Sequence, residues 1–500
     1  MSEITNVEHR LVQRSVVFAL DPTGDQGRAL LAHAGAARFA YNRLLAEVKA
    51  NLSQREAEKS YGLEGDQLTP VLSWSKFSLA KLWNTHKDEW APWSAENGSR
   101  AYRTGANNLG RALENFSTSK SGKRAGTAVG FPRAKKRSTA KLSINFENRA
   151  RLSTDSAGVV VPRIGRIHLL GDATGLRRDL AAGGKINSTT ISFRGGRWRA
   201  SFQILAPVPV KHRHRADTTR RQPIVGVDVG VKDTVVAATP DGREVMRIPA
   251  PRHLKAAATT MARLQRKAAR QVGPYDVATR RRQTPSAGWR KTQADISRLH
   301  TRTADLRANH LHHITAALAA RFETVVIEDL NIRGMMAKPA PRPDGAGGHE
   351  RNGRAAKRGL SRSIADASLG ELHRQLDYKT SWAGGTVARV DRFFPSSKTC
   401  SYCGVVKAKL LLSERVFSCD DCGRKLDRDL NAAINLARYF AGHPHAISGS
   451  GSGLVSGREA HSRPTGQHRP NDTATPPETR GLPRRKAQTV SSTRQKSQVA

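Results

Sequence analysis

Ile224-Val-Gly-Val-Asp-Val-Gly230 surrounds a single acid with Ile, Val and Gly. The β-branched residues make this a buried strand closed by glycine. An ionised carboxylate in such a strand is costly unless a cation or a metal compensates it. Asp228 is therefore either a metal ligand or a structural Asp bonded to backbone donors at the strand end. Two more strand patterns follow at 234–239 and 243–248, joined by the turn Pro240-Asp241-Gly242.

Three consecutive antiparallel strands of this kind open an RNase H-like fold, an α/β class. A long helical pattern covers 289–321, with Ile296, Leu299, Leu306, Leu311, Ile314 and Leu318 on one side. Another buried strand follows at 322–330 and carries Glu328 near its end. The plain alternative is a Glu turning out to solvent. Asp329 points to the opposite face from Glu328, so only one of the two can share a site with Asp228. Residues 369–382 are helical in pattern and 385–394 strand-like. In Leu426-Asp-Arg-Asp-Leu-Asn-Ala-Ala433, Asp427 or Asp429 can cap the helix expected at 430–439. Capping and metal ligation are not exclusive there. Three such carboxylates make a set of hard oxygen donors suited to Mg2+ or Mn2+. Two ions about 3.5–4 Å apart can activate water on one side of a phosphodiester and stabilise the leaving oxygen on the other. The reading depends on positions 228, 328 and 429 converging.

All four cysteines fall in one cluster, Cys400-x2-Cys403 and Cys419-x2-Cys422, and Gly404 and Gly423 follow the second cysteine of each pair. Four thiolates at this spacing suit a closed tetrahedral site for structural Zn2+; free thiols or two disulfides suit it less. The cluster lies between Glu328 and Asp429, so losing zinc is expected to disturb the segment that delivers Asp429.

Upstream, 11–20 has a strand pattern and 28–50, 73–83 and 100–116 have helical patterns. Trp74, Trp83, Trp90 and Trp93 crowd this region, either stacking on bases or, as is commoner for rings of that area, forming core. The segment GFPRAKKR (130–137) breaks helix, and its Arg133, Lys135, Lys136 and Arg137 are expected to contact phosphates. Short strands alternate with turns over 141–207, at 158–161, 189–193 and 198–204, the last two joined by Arg194-Gly-Gly-Arg197.

Lys and Arg number 84 against 42 Asp and Glu, a net charge of +42 spread along the chain. Such an excess calls for a polyanion, and nucleic acid is the usual one. A ribosomal-type or chromatin-packing protein would lack these long apolar-periodic stretches. No apolar run is long enough to cross a membrane, and residues 1–8 lack a secretory pattern, so a cytoplasmic protein is expected. The Pro/Gly-rich 339–354 reads as a mobile loop. The Ser/Gly/Pro/Arg-rich 449–500 reads as disordered and dispensable for the fold.

GVDVGVKD (226–233), VVIEDLN (325–331), FFPSSKTCSYCG (393–404) and CGRKLDRDLNAAINLA (422–437) resemble the TnpB family, relatives of the type V CRISPR effectors. GAARFAYNRLL (35–45) and GFPRAKKR are looser matches. The resemblance implies a RuvC-like nuclease domain with an inserted zinc ribbon. It also implies an N-terminal β-barrel-like wedge module carrying a helical recognition insertion. The family's three carboxylates fall on Asp228, Glu328 and Asp429, the Asp-x-Asn-Ala-Ala pattern selecting Asp429 over Asp427. The implied domains are wedge at 1–25 and 121–210, recognition helices at 26–120, and a linker at 211–223. The nuclease follows at 224–395 and 425–442, the ribbon at 396–424, and a basic tail at 443–500. The implied activity is RNA-guided, metal-dependent cutting of double-stranded DNA, with a guide RNA from the end of the element that encodes the protein. It serves retention of that element, and the implied location is the bacterial nucleoid. Two rivals stand beside it: a transposase or accessory transposition protein performing strand transfer, and a non-cutting guided regulator. No oligomeric state is read from the sequence.

Overall fold

Alternating apolar and polar residues start the chain as a strand. In β1 (His9–Asp21), Val12, Phe18 and Leu20 turn inward while Leu11 and Val17 stay exposed. The computed structural model describes residues 9–443, apart from 156, 210–221, 280, 284, 346, 347, 351 and 412. Most of the expected basic linker, part of the Pro/Gly-rich loop and the tail from 444 on therefore lie outside the described residues.

After β1 come three helices, α1 (Gly24–Ser60), α2 (Lys76–Trp90) and α3 (Ser99–Lys120). They enclose their own core of Leu44, Val48, Leu79, Trp83, Leu109 and Leu113. Trp83 is buried and stacks on Tyr102 with ring centroids 4.8 Å apart, so this ring is core. Helix α1 runs on past residue 50, where its apolar pattern fades. Its last turns carry Glu58, which accepts from Gln54 at 3.0 Å and from the Thr69 backbone N–H at 2.7 Å.

The chain then returns to β1. Strands β2 (Ser143–Asn145), β3 (Arg151–Leu152), β4 (Gly158–Val161) and β5 (Gly165–Leu170) come first. Helix α4 (Thr174–Ala181) precedes the long hairpin of β6 (Lys185–Arg194) and β7 (Arg197–Pro209). The sheet order is β2-β6-β7-β1-β5-β4-β3, with β7 antiparallel to β1 along nearly its whole length. Phe18, Ile144, Phe146, Trp198 and Phe202 fill its core. Strand β5 and helix α4 had no clear sequence signal.

The second sheet is built on the IVGVDVG run. Strands β8 (Gln222–Asp228), β9 (Asp233–Ala238) and β10 (Glu244–Pro249) form the antiparallel opening. Helix α5 (His253–Arg270), the short strands β11 (Tyr275–Asp276) and β12 (Arg281–Arg282), and α6 (Ala287–Arg321) follow. Strand β13 (Phe322–Glu328) then pairs parallel to β8. Helices α7 (Ile332–Met336), α8 (Arg354–Ala367) and α9 (Leu369–Trp382) lead to β14 (Thr386–Val390), parallel to β13. Strands β15 (Val416–Ser418) and β16 (Lys425–Asp427) pair within the cysteine segment, and α10 (Arg428–Gly442) ends the described chain.

The resulting order, β10-β9-β8-β13-β14, combines three antiparallel strands with two parallel ones. Leu311, Ile314, Leu318, Leu372 and Leu376 of α6 and α9 cover one face, against Val225, Val227 and Ile327. Helix α10 covers the other through Ala433, Ile434 and Leu436. This is an RNase H-like, RuvC-type core with an inserted cysteine ribbon.

Candidate active site and zinc ribbon

Parallel pairing aligns Ile327 with Val227, so Asp228 and Glu328 are neighbours at the carboxyl ends of adjacent strands. In an alternating strand they share the face opposite Val227 and Ile327, which is the face under α10. Gly226, two residues earlier on that face, shows how close the helix comes. A Cβ there would overlap the Ala433 carbonyl oxygen and sit 2.5 Å from the Ala437 nitrogen. Glycine lets the helix backbone lie directly on the strand. The first turn of α10, with Asp429, then falls beside Asp228.

The electrostatics follow from this convergence. Burial, the Asp429 and Glu328 carboxylates and, more weakly, Asp427 push the Asp228 carboxyl up to about 7, with Arg428 pulling the other way. Burial, helped by Asp329, also raises Glu328 above the usual carboxylate range. Neither the Asp228 nor the Glu328 carboxylate has a hydrogen bond or ion pair among the described residues. Two half-buried, unpartnered carboxylates side by side are what a cation would relieve.

Asp429 is differently placed. Its Oδ1 accepts from Arg428 Nε at 3.2 Å and Nη2 at 3.1 Å, and Arg415 Nη1 stands 4.0 Å from its Oδ2. Among the described residues, the four cysteines are the only group of three or more whose ligand atoms lie within 4.8 Å of one another. The three acids are near enough to disfavour charge on Asp228 but are not closed to that degree.

Of the two roles that the sequence left open at this turn, capping falls to Asp427. The Asp427 side chain caps α10, accepting from the backbone N–H groups of Asp429 at 3.1 Å and Leu430 at 3.0 Å. It also accepts from Arg247 at 3.1 Å. Burial works against its charge, yet the Leu430 N–H and Arg247 hold its carboxyl below the usual range. Asp329 is likewise occupied, accepting from Arg392 at 2.6 Å.

The cysteines form a cage. Cys400 Sγ is 3.7 Å from Cys422 Sγ, and Cys403 Sγ is 3.5 Å from Cys419 Sγ. Zn–S bonds of about 2.3 Å in a tetrahedron put sulfurs about 3.8 Å apart. The residues therefore fit zinc. Both turns close on glycine with positive φ, Gly404 at 81° and Gly423 at 69°.

Sequence reasoning missed how the cage is fastened to the site. Asn431, nearly fully buried, donates to the Thr399 carbonyl at 2.7 Å and accepts from the Ser401 N–H at 2.9 Å. Asn435 donates to the carbonyls of Ser396 and Thr399, both at 2.7 Å. Arg438 donates to the Ser401 carbonyl and, at 2.7 Å, to that of Pro240. One face of α10 thus holds the first cysteine turn. The signal was present, as Asn431 and Asn435 repeat at helical i, i+4 spacing.

The GFPRAKKR segment is pinned at its centre. Lys135 Nζ sits 3.8 Å from the Tyr41 ring centroid, and Asn42 bonds the Lys135 backbone at both N–H and C=O, at 2.8 and 3.0 Å. Arg133, Lys136 and Arg137 remain exposed, while Lys135 is half-buried.

Rv2885c of Mycobacterium tuberculosis, named for RNA-guided DNA endonuclease activity, is 31% identical over 465 residues, 89% of this chain and 92% of that protein. The chain belongs to the TnpB family. InsQ of Escherichia coli K12, with the same designation, is 30% identical over 448 residues, 90% of this chain and 96% of its own length. Family models match at 370–436, described as a Cas12f1-like TNB domain, and at 207–338, described as a probable transposase. A third, described as a helix-turn-helix domain, matches 12–57, which in this TnpB chain is β1 followed by the single continuous helix α1. Among solved structures, a Cas12f1–sgRNA–target DNA complex is matched with a TM-score of 0.43 and 13% identity, over 85% of this chain and 99% of that one.

Proposed function

We propose that this TnpB-family chain is an RNA-guided endonuclease of an insertion sequence that cuts target DNA at one RuvC-type site. In this reading the guide RNA comes from the end of the element, and cutting favours the element's retention. The observation that carries the proposal is the pair of unpartnered acids, Asp228 and Glu328, ending adjacent parallel strands beneath the Asp429 turn of α10.

Asp228, Glu328 and Asp429 would hold Mg2+ or Mn2+. Such ions activate water and stabilise the leaving oxygen of a phosphodiester. Asp228, on which both other acids disfavour charge, would gain most from such an ion. Asp429, bonded to Arg428 here, would turn from it toward the ion. The ribbon would carry structural zinc, since four thiolates leave no position open for substrate.

The test uses the full chain purified with its co-purifying RNA. Sequencing should return one enriched transcript from the element end. With Mg2+, that complex should cut matching DNA, and Asp228→Ala should abolish cutting while target affinity stays within about twofold. Joined products from labelled element ends would favour a transposase instead. Unchanged cutting by Asp228→Ala would end the proposal. Among the described residues no helix is long and apolar enough to cross a membrane.

A further inference from the structure

Beside the acids lies a pocket of about 600 Å3 that their chemistry does not use. It opens directly behind the strand carrying Asp228, since Val231 and Lys232 of the β8–β9 turn line it. Its other walls are the start of α5, the face of α8 and Arg415 of the ribbon. Lys232, Arg252, Lys255, Arg362 and Arg415 all line this one space.

The pocket's only acid is already spent. Asp366 accepts from the backbone N–H groups of Leu254 at 2.9 Å and Lys255 at 3.1 Å, capping α5. Arg252, Lys255 and Arg362 pair with no carboxylate among the described residues. Like charges gathered in a concave site repel one another unless an anion enters. Ser363 adds a hydroxyl to the same wall. Arg415 connects the pocket to the chemistry, because its guanidinium stands 4.0 Å from the Asp429 carboxylate. An extended nucleotide spans roughly 6–7 Å per phosphate, on the order of two residues of extended chain. A strand with one phosphate at the acids can therefore bring a neighbouring phosphate to Arg415 and the pocket it lines.

We propose that this pocket seats the backbone phosphates flanking the scissile bond on the DNA strand being cut. Arg252, Lys255 and Arg362 are positioning residues: they hold the strand in register so that the correct phosphodiester meets the acids. The proposal rests on the nuclease reading above and adds the route of the strand. It also gives the ribbon a contact with substrate, through Arg415.

The experiment uses the RNA-loaded full chain. The triple variant Arg252→Ala/Lys255→Ala/Arg362→Ala should lower the single-turnover cutting rate by roughly ten- to a hundredfold, the range for losing charge-assisted hydrogen bonds. Target DNA affinity should change less than about threefold, because most of the contact lies elsewhere. Conservative Arg252→Lys/Arg362→Lys should recover much of the rate. A second readout does not depend on cutting. In an Asp228→Ala background, Arg362→Cys is mixed with target DNA carrying a thiol tethered through one phosphate, walked along each strand. Disulfide should form at phosphates beside the cut position and not further away, with the chain lacking Arg362→Cys as control. Even cross-linking along the DNA, or capture of a thiol-tethered guide RNA instead, would overturn the proposal, as would parental cutting by the triple variant. If the parent cuts nothing yet the cross-link is confined to a few adjacent phosphates of one DNA strand, the nuclease reading fails and the pocket is a DNA-phosphate seat without a scissile bond.

Discussion

At the scale of single residues, the two acids two positions apart in α10's first turn have different jobs. Asp427 serves the helix, through two backbone N–H groups and Arg247. Asp429 faces Asp228 and bonds only Arg428 closely. Asp427→Ala should cost about 1 kcal/mol of stability for the lost cap, and somewhat more for the lost Arg247 pair. It should slow cutting only partly. Asp429→Ala should abolish cutting and leave the melting temperature unchanged or raised, because it removes a neighbour that disfavours charge on Asp228. Thermal melts beside cutting assays separate the two, and a reversed pattern would exchange the roles. The strand-end setting of Asp228 was legible in the sequence because a lone acid stands out among Val and Gly. The docking of Lys135 on Tyr41 was not legible. In a basic run every lysine looks alike, and only the fold shows which one meets a ring.

At the scale of elements, α10 is fixed from two sides. Below it Gly226 admits its backbone; beside it Asn431, Asn435 and Arg438 grip the first cysteine turn. Gly226→Ala should push the helix away and destabilise the nuclease core by several kcal/mol, as overpacking against backbone does. Asn435→Ala removes the side-chain donor of the Ser396 carbonyl and leaves the Thr399 carbonyl to Asn431. It should cost about 1–3 kcal/mol, speed zinc release to a chromogenic chelator and lower the cutting rate together. Zinc release at the parental rate would mean the clamp does not couple ribbon to helix. The strands and helices with sharp apolar periodicity, such as β8, α9 and α10, were readable nearly to their ends. Helix α5 was not, because its apolar residues are mostly Ala among Lys and Arg and only Ala268 is buried. Its position is set by packing on α6 and by the Asp366 cap.

At the scale of the whole molecule, the described residues hold two large sheets, and the first touches a helix of the second at a small joint. The tip of the β6–β7 hairpin presses on α6, where a Cβ on Gly195 would lie 2.6 Å from Thr301, and Arg199 pairs with Asp305 at 2.6 Å. No local pattern announces such a contact, since its partners lie about a hundred positions apart, one on a hairpin and the other on a helix. The charge of +42 was legible from composition and makes the dominant prediction at this scale. Affinity for RNA should fall by about 10³ or more between 50 and 200 mM salt if the chain neutralises six or more phosphates. A titration showing little salt dependence would contradict the polyanion reading.

The grip of α10 on the ribbon passes largely through main-chain groups, those of Ser396, Thr399 and Ser401 at the first turn and of Glu414 and Arg415 further on. Main-chain groups are the same whatever side chains surround them. Side chains between those two anchor points are therefore open to exchange. Transplanting them from a distant homologue should leave the helix seated wherever the five backbone positions keep their places.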